Sequence, residues 1–141
     1  MTLKRIAFVC CVAVAMMAPA VSASAQTASA KAQTGTQFYM AYLEAFAKAK
    51  SLDEVSPWLA KERRDQIAKT PKDEQAMMFG MIKEMSADNT NIKVVKEAPT
   101  ATGADLDVEA VSKADKSKVT GKISLVKEDG QWKVSKESWK S

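Results

Sequence analysis

The chain contains no histidine, and its only two cysteines, Cys10 and Cys11, are adjacent. Without histidine there is no imidazole base and no imidazole metal ligand. Both cysteines lie in an apolar run, Ile6 to Ala18, which follows Lys4-Arg5 and gives way through Pro19 to Ala23-Ser24-Ala25. A charged start, a short apolar stretch and a small-residue A-x-A site form the signature of a secretory signal peptide. Cleavage is expected after Ala25, so the protein is expected to be periplasmic or secreted. Neither cysteine ends the apolar run behind a pair of small residues, so lipid modification is not expected. The mature chain then has no thiol, which excludes a disulfide and a thiol nucleophile and leaves stability to the core. The run is shorter than the roughly 20 residues of a bilayer span. No second apolar segment follows, and no stable membrane anchor is expected after cleavage.

Strong charge of one sign is also missing. The formal net charge is +4, and removing residues 1–25 takes away two basic and no acidic residues, leaving 116 residues with 19 basic against 17 acidic. A balance so even and so interspersed gives no footing for nucleic acid. There is no Gly-rich phosphate loop, no zinc-ligand spacing and no Ser/His/Asp arrangement, so neither cofactor nor metal is expected. Residues 26–36 are small and polar and read as a flexible leader. What remains, 37–141, is expected to be a single α+β domain, long enough to bury roughly two-thirds of its unfolded surface.

Three helical patterns come first. Thr36 is placed to cap a helix over 37–50, whose Phe38, Tyr39, Tyr42, Leu43 and Phe46 recur at three and four and form a broad apolar stripe. Ser51-Leu52-Asp53-Glu54 has the form of a capping box, and Ser56-Pro57 resets the chain into a helix over 58–69 with Trp58, Leu59 and Ile67 turned inward. Thr70-Pro71-Lys72-Asp73 repeats the device and opens a helix to about Ser86, with Met78, Met81, Ile82 and Met85 on one face.

After Asp88-Asn89-Thr90-Asn91 the period changes to two. Ala104, Leu106, Val108 and Ala110 alternate with Asp105, Asp107 and Glu109, and Val119, Ile123 and Leu125 alternate with Lys118, Thr120, Lys122 and Ser124, as in half-buried strands. Asp129-Gly130 between two such runs marks a tight hairpin. Four antiparallel strands are expected at 91–98, 104–112, 118–127 and 131–138. The turns would set Leu125 opposite Val134, Leu106 opposite Ile123, Asp107 opposite Lys122, Lys93 opposite Glu109, and Lys122 opposite Glu137. This parity turns Asp105, Asp107 and Glu109 to water. It turns Lys96, Lys127 and Lys136 toward the inner set at strand ends, and Val95, Val111, Val126 and Trp139 outward.

N-terminal helices followed by a four-stranded meander, with Leu125-Val126-Lys127-Glu128-Asp129-Gly130-Gln131-Trp132-Lys133-Val134 and the Leu-Asp-Glu-Val…Pro-Trp-Leu stretch at 52–59, resemble the nuclear-transport-factor-two-like superfamily, a cystatin-like α+β cone. The resemblance covers about residues 36–139. It implies a curved sheet wrapped around the helices and a cone-shaped pocket that members use for catalysis, for ligands or for neither.

With no histidine and no acid expected on the inner sheet face, no catalytic residue is assigned, because a general base must reach its proton. Tyr39, Tyr42, Phe46, Met78, Met81, Leu106, Ile123 and Trp132 are the expected lining of a hydrophobic cavity between helices and sheet. The methionines 77, 78, 81 and 85 are soft thioethers of the kind that ligate copper(I), but adaptable core or pocket lining is the expectation. The function expected is a non-catalytic binding module for a small apolar ligand. A protein-interaction module using Val111, Val126 and Trp139 is the alternative, with a homodimer compatible with it. A pocket enzyme of the isomerase or dehydratase kind would need a carboxylate inside the cavity.

Overall fold

The computed structural model describes residues 33–140. The expected signal peptide and most of the 26–36 leader lie outside them. Among the described residues four helices, α1 (Gly35–Lys48), α2 (Leu52–Val55), α3 (Lys61–Lys69) and α4 (Lys72–Asp88), with a 3-10 turn at Ser56–Trp58, precede four strands, β1 (Asn89–Pro99), β2 (Gly103–Ser112), β3 (Lys118–Glu128) and β4 (Gln131–Lys140). The strands form one open antiparallel sheet in the order β1-β2-β3-β4. This is an α+β fold.

Helix α1 begins two residues earlier than its stripe suggests, because Thr34, not Thr36, has the reciprocal partner. The Thr34 hydroxyl accepts from the Gln37 amide and the Gln37 side chain accepts from the Thr34 amide, both at 3.1 Å. Thr36 instead donates its hydroxyl to Glu97 on β1 at 2.6 Å, and the Gly35 and Thr36 amides donate to the same carboxylate at 3.0 Å. A carboxylate suits the positive end of a helix. Partial burial opposes the Glu97 charge, but these hydrogen bonds hold its carboxyl below the usual range.

The middle of the helical half departs further from expectation. Ser51 makes no capping bond, and Glu54 accepts instead from the Lys50 amide at 3.1 Å. Leu59 and Ala60 are extended, not helical: Leu59 bridges Val134 in parallel, and the Ala60 amide donates to the Val134 carbonyl at 2.9 Å. Thr70 closes α3 instead of capping α4, and Pro71 takes the cap position of α4. Buried Gln75 ties this junction by donating to the Ile67 and Thr70 carbonyls at 2.8 and 2.7 Å.

On α4 the buried residues are Gln75 and Phe79, with Met78 and Ile82 half-buried. Met81 and Met85, expected on the inner face, are exposed. Phe79 takes the core position, packing edge-on against Phe46 with centroids 5.7 Å apart. Lys83 fixes the same rotation, since its Nζ donates to the Ala47 and Ala49 carbonyls at 2.8 and 2.9 Å, at the negative end of α1.

The sheet pairs as its turns require over most of its length. Glu128 faces Gln131 across Asp129-Gly130, whose φ of 51° and 77° suit a tight primed hairpin turn. Leu106 faces Ile123, Asp107 faces Lys122, Leu125 faces Val134 and Lys93 faces Glu109. Leu106, Val108, Ile123, Leu125 and Val134 are buried against α1 and its neighbours. On the other face Asp105 accepts from Ser124, while Asp107 and Glu109 pair with Lys122 and Lys118.

β4 breaks the expected alternation. Between the pairs Leu125–Val134 and Ser124–Lys136 the register shifts, and Ser135 is the extra residue. A bulge of one residue reverses the faces beyond it. Lys122 therefore faces Ser138, and Ile123 faces Glu137. Lys136 passes to the outer face, while Glu137 and Trp139 turn toward the helices.

Candidate functional site

A cavity of about 600 Å³ lies between α1, α4 and the inner face of the sheet. Tyr39, Tyr42, Leu43 and Phe46 of α1, Ile82 and Met85 of α4, Ile92 of β1, Val119 of β3 and Trp139 of β4 form its apolar walls. The aromatic stripe of α1 supplies one wall because three- and four-residue spacing puts Tyr39, Tyr42 and Phe46 on one side of the helix. Trp139 supplies the opposite wall because Gly121, its partner on β3, leaves room for the indole. A Cβ added at Gly121 would lie 2.8 Å from the ring and 2.6 Å from Val108.

The polar centre of the cavity is the Glu137 carboxylate. One oxygen accepts from the Tyr39 hydroxyl at 3.1 Å, and the other accepts from Tyr42 at 3.2 Å and from the Arg63 guanidinium at 3.4 Å. Glu137 and Arg63 are about one-fifth and one-third exposed, so the pair is shielded but still wetted. Burial first, and then the negative charge of Glu137, pushes the Tyr39 and Tyr42 hydroxyls far above their ordinary value. Both therefore remain protonated donors throughout the neutral range. Among the described residues no buried side-chain nitrogen or oxygen is left without a partner. Compared with protein-family models, with curated proteins and with solved structures, the chain finds no match.

A second recess of about 210 Å³ between α2, α3 and α4 shares Tyr42, Phe46, Arg63, Ile82 and Glu137 with the first and adds Leu52, Val55, Leu59, Ile67 and Met78. At the other end of the main cavity, Asp88, Asn89, Ser112, Asp115 and Ser117 surround the mouth. Asp88 is committed to the fold there, accepting from the Ser112 hydroxyl at 2.7 Å and from the Ala114 amide at 3.0 Å.

Of the residues expected to line a cavity, the structure brings Tyr39, Tyr42 and Phe46 to the main one and Met78 to the recess. The others are corrections. Leu106 and Ile123 are fully buried core beneath the cavity, not wall. Met81 faces solvent. Trp132 lies at the opposite end of the molecule, where its indole N–H donates to the Gln33 carbonyl at 2.8 Å and Lys127 sits 4.6 Å over its ring. Glu137, Arg63 and Trp139 were missed. Parity alone placed Glu137 and Trp139 outside, and only the bulge at Ser135 brings them in. The patch expected from Val111, Val126 and Trp139 does not form, since Trp139 belongs to the cavity.

Proposed function

We propose that this protein is a non-catalytic binding module that takes a small molecule with an apolar body and one polar end into the cavity between α1, α4 and the sheet. The observation that carries the reading is a roomy pocket with aromatic walls and one polar cluster, Glu137 with Arg63 and the Tyr39 and Tyr42 hydroxyls, set among them. Ligand sites are typically of this kind, with a cavity of several hundred Å³ and few, well-placed polar atoms. Three donors already hold Glu137, which suits orientation of a ligand better than proton abstraction. The order of helices and strands supports a place among nuclear-transport-factor-two-like proteins, and Lys4-Arg5 with the run to Ala25 supports export.

One observation favours a second reading. The carboxylate of Glu137 is inside the cavity, which is the condition for a pocket enzyme of the isomerase or dehydratase kind. The protein-interaction reading loses Trp139, one of its three expected patch residues, to the cavity.

Native mass spectrometry of the protein released from its own compartment without denaturant tests the proposal. A small-molecule adduct that is lost in Leu43→Trp, which drives a bulky indole into the cavity in place of an aliphatic side chain, is the expected result. An adduct-free chain that also fails to take up an environment-sensitive apolar dye would overturn it. Turnover of an adduct by the wild type but not by Glu137→Gln would transfer the case to the enzyme.

A further inference from the structure

Helix α4 carries three methionines at four-residue intervals, Met77, Met81 and Met85, that the core does not use. They are 75%, 58% and 68% exposed, and together with Met40 they make up four of the five large apolar side chains exposed among the described residues. Successive intervals of four hold all three within one stripe of the helix surface, each neighbouring pair with Cβ atoms about 5–6 Å apart. Packing explains Met78, which faces the core one position away. It does not explain these three.

The charge around the stripe has one sign. Asp73 and Glu74 precede Met77 by four and three residues, and Glu84 follows Met81 by three, so carboxylates share the stripe. The two lysines of α4 are engaged elsewhere: Lys72 pairs with Asp53 at 2.9 Å and Lys83 donates to the carbonyls at the end of α1. Hard divalent ions are not served, because no group of three or more His, Cys, Asp or Glu among the described residues is placed to hold one. Soft thioethers select a soft monovalent ion instead.

We infer that Met77, Met81 and Met85 form a surface site for a soft monovalent metal ion of the copper(I) or silver(I) class. Met81 is common to the two neighbouring pairs, and the flanking carboxylates offset the ion's charge. Flexible, unbranched thioether arms let two sulfurs close on an ion from either side without moving the helix. The site lies on the solvent side of α4, and of the three only Met85 also lines the cavity.

Silver(I), added to the full chain carrying Cys10→Ser and Cys11→Ser so that no thiol competes, is the probe. The readout is the carbon shift of each methionine methyl group. The methyls of Met77, Met81 and Met85 are expected to move together along one isotherm while those of Met40 and Met78 stay. Met81→Leu, an exposed and nearly isosteric change, is expected to weaken the response of Met77 and Met85 by roughly tenfold, or about 1.4 kcal/mol. Met78→Leu is expected to leave it unchanged. Equal movement of Met40, or isotherms of Met77 and Met85 unaffected by Met81→Leu, would mean independent exposed thioethers and would overturn the site.

Discussion

At the scale of the residue, Glu137 holds the most consequential position. Two buried phenols and a guanidinium converge on it, so removing the carboxylate leaves donors in the cavity wall with nothing to bind. Glu137→Ala is expected to cost about 1–3 kcal/mol, the range for unpaired buried polar groups, read as a lower urea midpoint. Glu137→Gln keeps an acceptor and should cost less. Gly121 is the second such position. Its missing side chain is the space that Trp139 and Val108 occupy, so Gly121→Ala forces the indole or the valine aside. A loss of about 1–3 kcal/mol is expected, as for overpacked cores, together with a shift in tryptophan emission as Trp139 is pushed from its seat.

At the scale of the element, the two halves of the chain were unequally legible. Strand alternation and the Asp129-Gly130 turn specify pairing locally, so the registers of β2 with β3 and of the hairpin up to Leu125–Val134 could be read from residue types. The bulge could not. Ser135 is an ordinary strand residue, and nothing in Val134-Ser135-Lys136 announces that one position will be skipped. The helices were readable as stripes, but their ends and rotation were not. Thr34 and Thr36 are equally good caps in isolation, and the choice was made by Gln37 and by Glu97, sixty residues further along. On α4 the apolar pattern is degenerate, and the larger Phe79 won the core from Met81 and Met85. Deleting Ser135 tests the element directly. Lys136 then follows Val134 directly and still faces Ser124, so the regular ladder keeps Glu137 and Trp139 turned inward, and dye uptake in the cavity should persist together with the circular dichroism of the sheet. Loss of uptake with the sheet intact would show that the bend at the bulge itself shapes the cavity.

At the scale of the whole molecule, the paired tyrosines give the fold an alkaline limit. Folding raises the Tyr39 and Tyr42 values from an ordinary 10.0. The folded chain thus keeps protons that the unfolded chain releases once the pH passes about 10. The unfolded state then binds fewer protons, and stability falls as pH rises. Below that point the contribution is fully present. Urea midpoints between pH 8 and 11 should decline in the wild type and decline less steeply in Tyr39→Phe/Tyr42→Phe. Glu97 acts at the other extreme. Its lowered value contributes stability above the ordinary 4.5 that is lost as pH falls through the folded value, and Glu97→Gln should blunt that acid limb.

The short extended segment at Leu59–Ala60 has a consequence for how the protein keeps in storage. β4 is the last strand of an open sheet, and its unpaired amides and carbonyls would invite a neighbouring molecule to add a strand. By docking on Val134, this segment occupies part of that adhesive border from within the same molecule. Mild heating that loosens the turn before it melts the sheet would uncover the border, so turbidity should precede loss of sheet signal. A graft that staples Leu59 in place should postpone the clouding.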